Sequence, residues 1–270
     1  MKSCFAASTL LTALTAASLM GCAGVTPTPG PAIDRAIELK FSSNPPGGDL
    51  PQGWQPLIIR RDKTPTVYTL VTDRVSAAAE GVSAREQTVV QADSASAASG
   101  LRLPVDIDPS KSRCLRWDWK IANLIEAADA TSRQAEDSPV RIVLAFDGDL
   151  GKLSMFDRIL GQQARLLGGH ELPYATLIYI WEPRLAVDSI VINSYSSRIR
   201  KLVAQSGADG VGRWQHLSRD IVADFERVYG EAPGRLLSVG IMTDTDNTQT
   251  TARSWYGDIG FTASADCTAH

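Results

Sequence analysis

Histidine is scarce: three residues, His170, His216 and His270, in a chain of 270. They fall in a predicted loop, near a predicted helix start and at the terminus, so a histidine-rich metal centre is not encoded. Basic runs are missing as well, with 27 Lys+Arg balanced against 30 Asp+Glu, and this removes nucleic acid from the expected partners. Neither a Gly-x-Ser-x-Gly elbow nor a phosphate-cradling Gly-x-x-x-x-Gly-Lys-Ser/Thr run occurs. No apolar run is long enough to stay in a bilayer core about 30 Å thick, because the stretch at residues 5–20 is short and rich in Ser and Thr. An EF-hand is excluded too: the Asp244-Thr245-Asp246-Asn247-Thr248 stretch is followed by Gln249 where that loop needs Gly, and by Trp255 where it needs Glu.

What is present begins with a leader. Lys2, an apolar segment and small residues before Cys22 make a secretory signal peptide over residues 1–21. Leu19-Met20-Gly21-Cys22 resembles the bacterial lipobox, which implies that Cys22 is acylated and becomes the mature N-terminus. Each buried acyl CH₂ contributes about 0.8 kcal/mol, so several chains hold a protein on a membrane without a spanning helix. Ala23 after the cysteine, by the same resemblance, implies the outer membrane, with the domain facing the periplasm. Ordinary cleavage near Gly21 is the alternative and leaves a secreted soluble protein. Residues 22–37, rich in Pro, Gly and Thr, read as a tether. Of the four cysteines, Cys4 leaves with the signal and Cys22 takes the lipid. Cys114 and Cys267 remain, either as a disulfide in an oxidising envelope or as one buried and one loose thiol.

From Phe41 onward the texture is short apolar runs broken by Gly, Pro, Asp and Asn, about ten to twelve strands. In "RCLRWDWKI", residues 113–121, Leu115, Trp117, Trp119 and Ile121 share one face while Arg116, Asp118 and Lys120 share the other. The run at 139–147 alternates likewise, with Val140, Ile142, Leu144 and Phe146 opposite Arg141. "YATLIYIWE" is apolar on both faces, so a central strand covered on both sides is expected. A helix is expected from about Arg219 to Tyr229, with Ile221, Val222, Phe225, Val228 and Tyr229 on one stripe, Ser218 as cap and Gly230 as stop. Helical spacing recurs at Phe156, Ile159, Leu160, Ala164 and Leu167, closed by Gly168-Gly169.

Several blocks, in order, resemble the bacterial secreted family called domain of unknown function 3047. They are "LPQGW" at 50–54, "ASGLRLPVDIDPS" running into "LRWDWKI", "LPYATLIYIWE", "GRWQHLSRDIVADFERVYGE" and "TDTDNTQTTARSWYGDIGF". The resemblance implies no named activity. Its last strands look like those of galactose-binding-like jelly rolls, a group that includes many carbohydrate-binding modules. The implied fold is all-β: one β-sandwich of jelly-roll type over residues 38–265, with one or two flanking helices. The acidic pair associated with the strand of Arg141 stands here as Glu136-Asp137-Ser138-Pro139, a departure from the family pattern.

Two surfaces are candidates for function. The polar face of the 113–121 strand is expected to gather Arg116, Asp118, Arg141, Asn193, Tyr256 and Asp258 into a cleft, where carboxylates and guanidinium groups meet hydroxyls and Tyr256 adds apolar contact. The bland alternative is a salt-bridge lattice on an exposed sheet. Asp244, Asp246 and Asn247 form the second candidate: a loose calcium site, a sugar contact, or a turn whose side chains satisfy backbone donors. Non-catalytic binding of a glycan or another polar envelope ligand is the expected function. An envelope scaffold, or a polysaccharide-acting enzyme using paired carboxylates such as Asp118 and Asp258, are the alternatives.

Overall fold

The computed structural model describes residues 36–76, 83–159, 161, 172–263 and 267. The signal peptide, Cys22 and the tether up to residue 35 lie outside the described residues, as does most of the second helical segment, of which 155–159 and 161 are helical.

Among the described residues, thirteen strands form two sheets. The first runs β11 (Gln215–Asp220), β6 (Cys114–Ile121), β13 (Thr251–Thr262), β4 (Arg85–Ala95), β3 (Val67–Val75). β1 (Ile37–Leu39) pairs with β13 at Ile259 to Phe261, beyond the Thr251 to Tyr256 stretch that pairs with β4. The second sheet runs β2 (Gln55–Leu57), β5 (Ala98–Ile107), β12 (Leu236–Asp244), β7 (Ser138–Phe146), β8 (Ala175–Glu182), β10 (Ile199–Ser206), β9 (Ile190–Ile192). Pairing is antiparallel except between β8 and β10. The fold is thus a β-sandwich of jelly-roll type.

Alternation builds the core. Leu115, Trp117, Trp119 and Ile121 of β6 point inward against Val140, Ile142, Leu144 and Phe146 of β7 and against Leu177, Tyr179 and Trp181 of β8. Rings join the two sheets: Trp117 stacks on Tyr179 at 5.1 Å, and Trp119 approaches Trp181 at 6.4 Å. β8 is covered on both faces, since Ile178 and Ile180 pack on the far side with Ala130, Val191 and Val203. The 122–137 connection supplies that outer cover: Ala128 and Glu126 carbonyls accept from Arg184, and the Ala130 carbonyl accepts from Lys201.

The helix is shorter than its sequence pattern suggests, spanning Ile221–Tyr229. Ser218 and Arg219 belong to β11, paired with Arg116 and Leu115. The cap is Asp220, whose carboxylate accepts from the backbone N–H groups of Val222 and Ala223 at 3.0 Å. Gly230 ends the helix at φ 76°, a conformation that glycine adopts without strain.

Candidate functional site

β6 carries the first half of the site. Its outward side chains, Arg116 and Asp118, face a concavity of about 330 Å³ also lined by Ser76, Arg85, His216 and Asp258. His216 enters from β11, directly opposite Asp118 in register, and its Nδ1 lies 2.6 Å from Asp118 Oδ1. The other ring nitrogen lies 3.3 Å from Ser76 Oγ. Ser76 immediately follows β3, so three strands of one sheet converge here.

Asp258 arrives through a β-bulge. Tyr256 pairs with Trp119 and Ile259 with Trp117, so Gly257 and Asp258 together oppose Asp118. The extra residue reverses the inside-outside parity of β13. Tyr256, expected on the polar face with Asp258, therefore points into the core with no exposure, where its hydroxyl donates to the Met242 carbonyl at 2.6 Å. Gly257 is required by closeness: a Cβ there would stand 2.8 Å from the Asp118 Cβ. Asp258 accepts from the Ser42 amide at 2.9 Å and the Ser42 hydroxyl at 2.5 Å, so it fastens the turn after β1 to the last strand.

Arg141 and Asn193 do not join this cleft. β6 and β7 belong to opposite sheets whose apolar faces meet, so their polar faces point away from each other. Arg141 is 6% exposed beneath the 122–137 connection, donating to the Glu136 carbonyl at 2.5 Å and to Asp244 Oδ2 at 2.7 Å. Asn193 donates to Glu136 Oε2 at 3.2 Å, and the same carboxylate accepts from the buried Lys201 ammonium at 2.6 Å.

The acidic loop meets that network. Carboxylate oxygens of Asp137, Asp244 and Asp246 lie within 4.8 Å of one another. The third member of the cluster is Asp137 and not the Asn247 side chain; Asn247 gives its backbone N–H to Asp137 at 3.2 Å. Thr248 adds a backbone N–H at 2.7 Å and a hydroxyl at 2.6 Å. Asp244 also accepts from the Ser138 amide, and Asp246 pairs with the Lys63 ammonium. The donors facing these carboxylates are protein N–H, O–H and cationic groups, as in a turn whose side chains satisfy backbone donors, while the spacing of the three carboxylates is also one that a cation could bridge.

Burial pushes the Asp244 carboxyl up to about 6, Arg141 pulls against that rise, and the neighbouring Asp137 adds to it. A carboxyl raised in the folded state binds more protons there than in the unfolded chain between the two values. Its contribution is most favourable below about pH 4 and is lost as pH rises through about 6, by up to about 3 kcal/mol. In urea unfolding, Asp244→Asn should therefore gain relative to the parent by about 2–3 kcal/mol between pH 4 and pH 7.5. Parallel pH profiles would contradict it.

Cys267 lies beside Cys114: burial, then a hydrogen bond with the Cys114 thiol, pushes its thiol up to about 12. Cys114 is fully buried on β6, its sulfur 3.2 Å from Ser218 Oγ. The two residues stand as neighbouring thiols in this structure.

The family profile described as "Protein of unknown function (DUF3047)" matches residues 52–260, well over half of the chain. The chain belongs to that family. No curated protein matches this DUF3047 member. Among the solved structures that resemble it loosely are three from adhesin and carbohydrate-related proteins. The K2 cleaved adhesin domain of Lys-gingipain is 11% identical, with 84% of this chain and 99% of that one covered and a TM-score of 0.39. The cellulose induced protein Cip1 is 12% identical, with 84% and 97% covered and a TM-score of 0.37. The family 30 carbohydrate-binding module of a cellulosomal cellulase of Clostridium thermocellum is 11% identical, with 85% and 99% covered and a TM-score of 0.32. Scores at this level assign no ligand.

Sequence alone singled out Arg116, Asp118 and Asp258 but missed His216, Ser76 and Asp137. His216 is found by placing "QHLSRD" on a strand beside "CLRWDWKI"; no local signal marks Ser76.

Proposed function

We propose that this DUF3047 protein recognises a polyhydroxylated ligand, a glycan of the cell envelope, in the concavity formed by Arg116, Asp118, His216 and Asp258. One observation carries the reading. Among the described residues the half-buried Arg116 guanidinium makes no side-chain hydrogen bond or ion pair, and its Nε is buried without an acceptor. Leaving such a donor unmet costs about 1–3 kcal/mol, which a ligand oxygen would recover. Besides Arg116 Nε, the hydroxyl of Thr262, another lining residue of this concavity, is buried without a partner among the described residues. Unmet hydrogen-bonding capacity on the polar face of this sheet therefore gathers at the concavity. The paired-carboxylate glycosidase is disfavoured, because Asp118 is engaged by His216 and Asp258 by Ser42.

The domain reaches its ligand from a lipid on Cys22, inserted in the outer membrane and facing the periplasm. The lipobox supports this placement, and among the described residues no helix is long and apolar enough to cross a membrane.

A panel of neutral and uronate-bearing oligosaccharides, screened by thermal unfolding, tests the reading, since a ligand of the folded state raises the midpoint. At least one saccharide should do so. Arg116→Ala should then weaken its binding roughly 10- to 100-fold, the worth of hydrogen bonds to a charged group. Arg253→Ala, an exposed arginine paired with Asp93 outside the concavity, should leave binding unchanged. Silence across the panel, or equal effects of the two substitutions, would refute the site.

A further inference from the structure

The contacts of His216 exceed what a surface ion pair requires. A carboxylate only accepts hydrogen bonds, so Asp118 Oδ1 at 2.6 Å fixes the hydrogen on His216 Nδ1. The Nε2 lone pair then faces Ser76 Oγ at 3.3 Å, and the serine hydroxyl donates to it. An orienting carboxylate, a base and a hydroxyl stand in sequence, each within the reach seen in nucleophile-base pairs before substrate binds. The order is held by the backbone: register puts His216 opposite Asp118, and the Gly257 bulge leaves room for the Asp118 side chain. Asp118 and His216 are both partly shielded, at 26% and 19% side-chain exposure, while Ser76 is open to solvent. An exposed His-Asp pair alone contributes little to stability and needs no hydroxyl on the far nitrogen.

We infer that Ser76, His216 and Asp118 form a nucleophilic relay that hydrolyses a carboxylic ester, the substrate being an O-acylated form of the polyhydroxylated ligand. The identity of the alcohol rests on the recognition proposed above; the relay does not. In the first step Ser76 Oγ bonds to the ester carbonyl carbon, its proton passes to His216 Nε2, and the carbonyl π pair moves onto oxygen. Collapse breaks the bond to the alkoxy oxygen, which leaves as the alcohol with the proton from Nε2. Water then gives a proton to Nε2 and its oxygen to the acyl carbon, and Ser76 departs and recovers the proton. The balance is ester plus water to acid plus alcohol. Asp118 is the positioning residue, holding the tautomer and stabilising the transient imidazolium. The guanidinium groups of Arg85 and Arg116 line the same concavity and are the positive charges it offers to a developing oxyanion.

The purified full-length protein is treated with a fluorophosphonate, which joins the nucleophilic oxygen with loss of fluoride, and the adduct is located by peptide mass spectrometry. Ser76 should carry it. His216→Asn should slow labelling at least about 100-fold, the usual contribution of a positioned base. With 4-nitrophenyl acetate, Ser76→Ala should abolish turnover above solvent background. Asp118→Asn should lower kcat roughly 10²–10⁴-fold. KM should stay within a few-fold of the parent's, because Asp118 orients the base and does not touch the ester; a merely structural aspartate would disturb KM as well. An unlabelled Ser76, or labelling indifferent to His216, overturns the relay. Saccharide binding by the unmodified protein is read separately as a rise in midpoint. Binding without labelling refutes the relay and keeps the recognition; labelling without binding keeps the relay and refutes the saccharide ester as substrate.

Discussion

Replacing Arg141 by methionine is expected to destabilise the protein by about 3–5 kcal/mol at neutral pH, although methionine fills similar space and suits an apolar setting. The cost lies in what stays behind. Asp244 is 4% exposed, and Arg141 is the guanidinium that meets its Oδ2. With that charge gone, the carboxylate is left against Asp137 and Asp246 with the Ser138 amide as its remaining close donor. It must then either stay ionised without compensation or take up a proton. The second route gives the prediction its signature: the loss should shrink toward pH 4.5, where Asp244 is neutral in parent and variant alike. Asp244→Asn in the Arg141→Met background should restore part of the stability at pH 7.5, because removing both members of a buried pair costs less than removing one. Urea midpoints of the four proteins at two pH values decide it. A loss below about 1 kcal/mol, or one that is flat with pH, would mean that Lys201, Lys63 and backbone donors already satisfy the carboxylates.

This network also marks where sequence reading stops. The alternation of "RCLRWDWKI" exposed the inner face of β6 because each second residue is apolar and each intervening one is polar or, at Cys114, small. The same alternation in β7 separated Arg141 from Val140 and Ile142, but nothing local says what covers the outer side. There it is the 122–137 connection, whose Glu136 engages Arg141, Asn193 and Lys201. Two strands with matching patterns were therefore assigned to one polar cleft although they lie in opposite sheets. β11 escaped notice because all six of its residues are half-buried, leaving no period for a pattern to reveal. Its polar letters ran into the helical stripe after Asp220 and were absorbed by it. His216 was lost with that strand, and with it the partner that gives Asp118 its chemistry. The bulge at Gly257 and Asp258 is a one-residue change of register, invisible to a count of alternate positions, and it carried Tyr256 from the expected cleft into the core.

Trp119→Ala is the second substitution expected to cost about 3–5 kcal/mol, here through a cavity rather than a charge. Trp119 has no solvent exposure and touches three kinds of neighbour. Trp117 meets it edge-on at 5.3 Å, and Trp181 of the other sheet lies 6.4 Å away at 30°. Its Nε1 donates to Gln205 Oε1 at 3.0 Å, a hydrogen bond that reaches from β6 to β10 across the sandwich. Truncation removes the indole, leaves Gln205 without that donor and opens a space walled by large rings on neighbouring strands. Rings held between two hydrogen-bonded sheets cannot collapse into a void without moving the strands, so relaxation recovers little. Trp119→Phe should separate the contributions: it keeps much of the volume, loses the hydrogen bond and should cost less than half as much. Because Trp119 sits back to back with Asp118 on β6, Trp119→Ala should also loosen the seat of the Asp118 and His216 pair before it unfolds the domain. Urea unfolding with an unchanged slope, read beside amide exchange on β6 and β11, checks both parts. A cost below about 1 kcal/mol, with β6 amides as protected as in the parent, would show that the outer site does not depend on the aromatic layer beneath it.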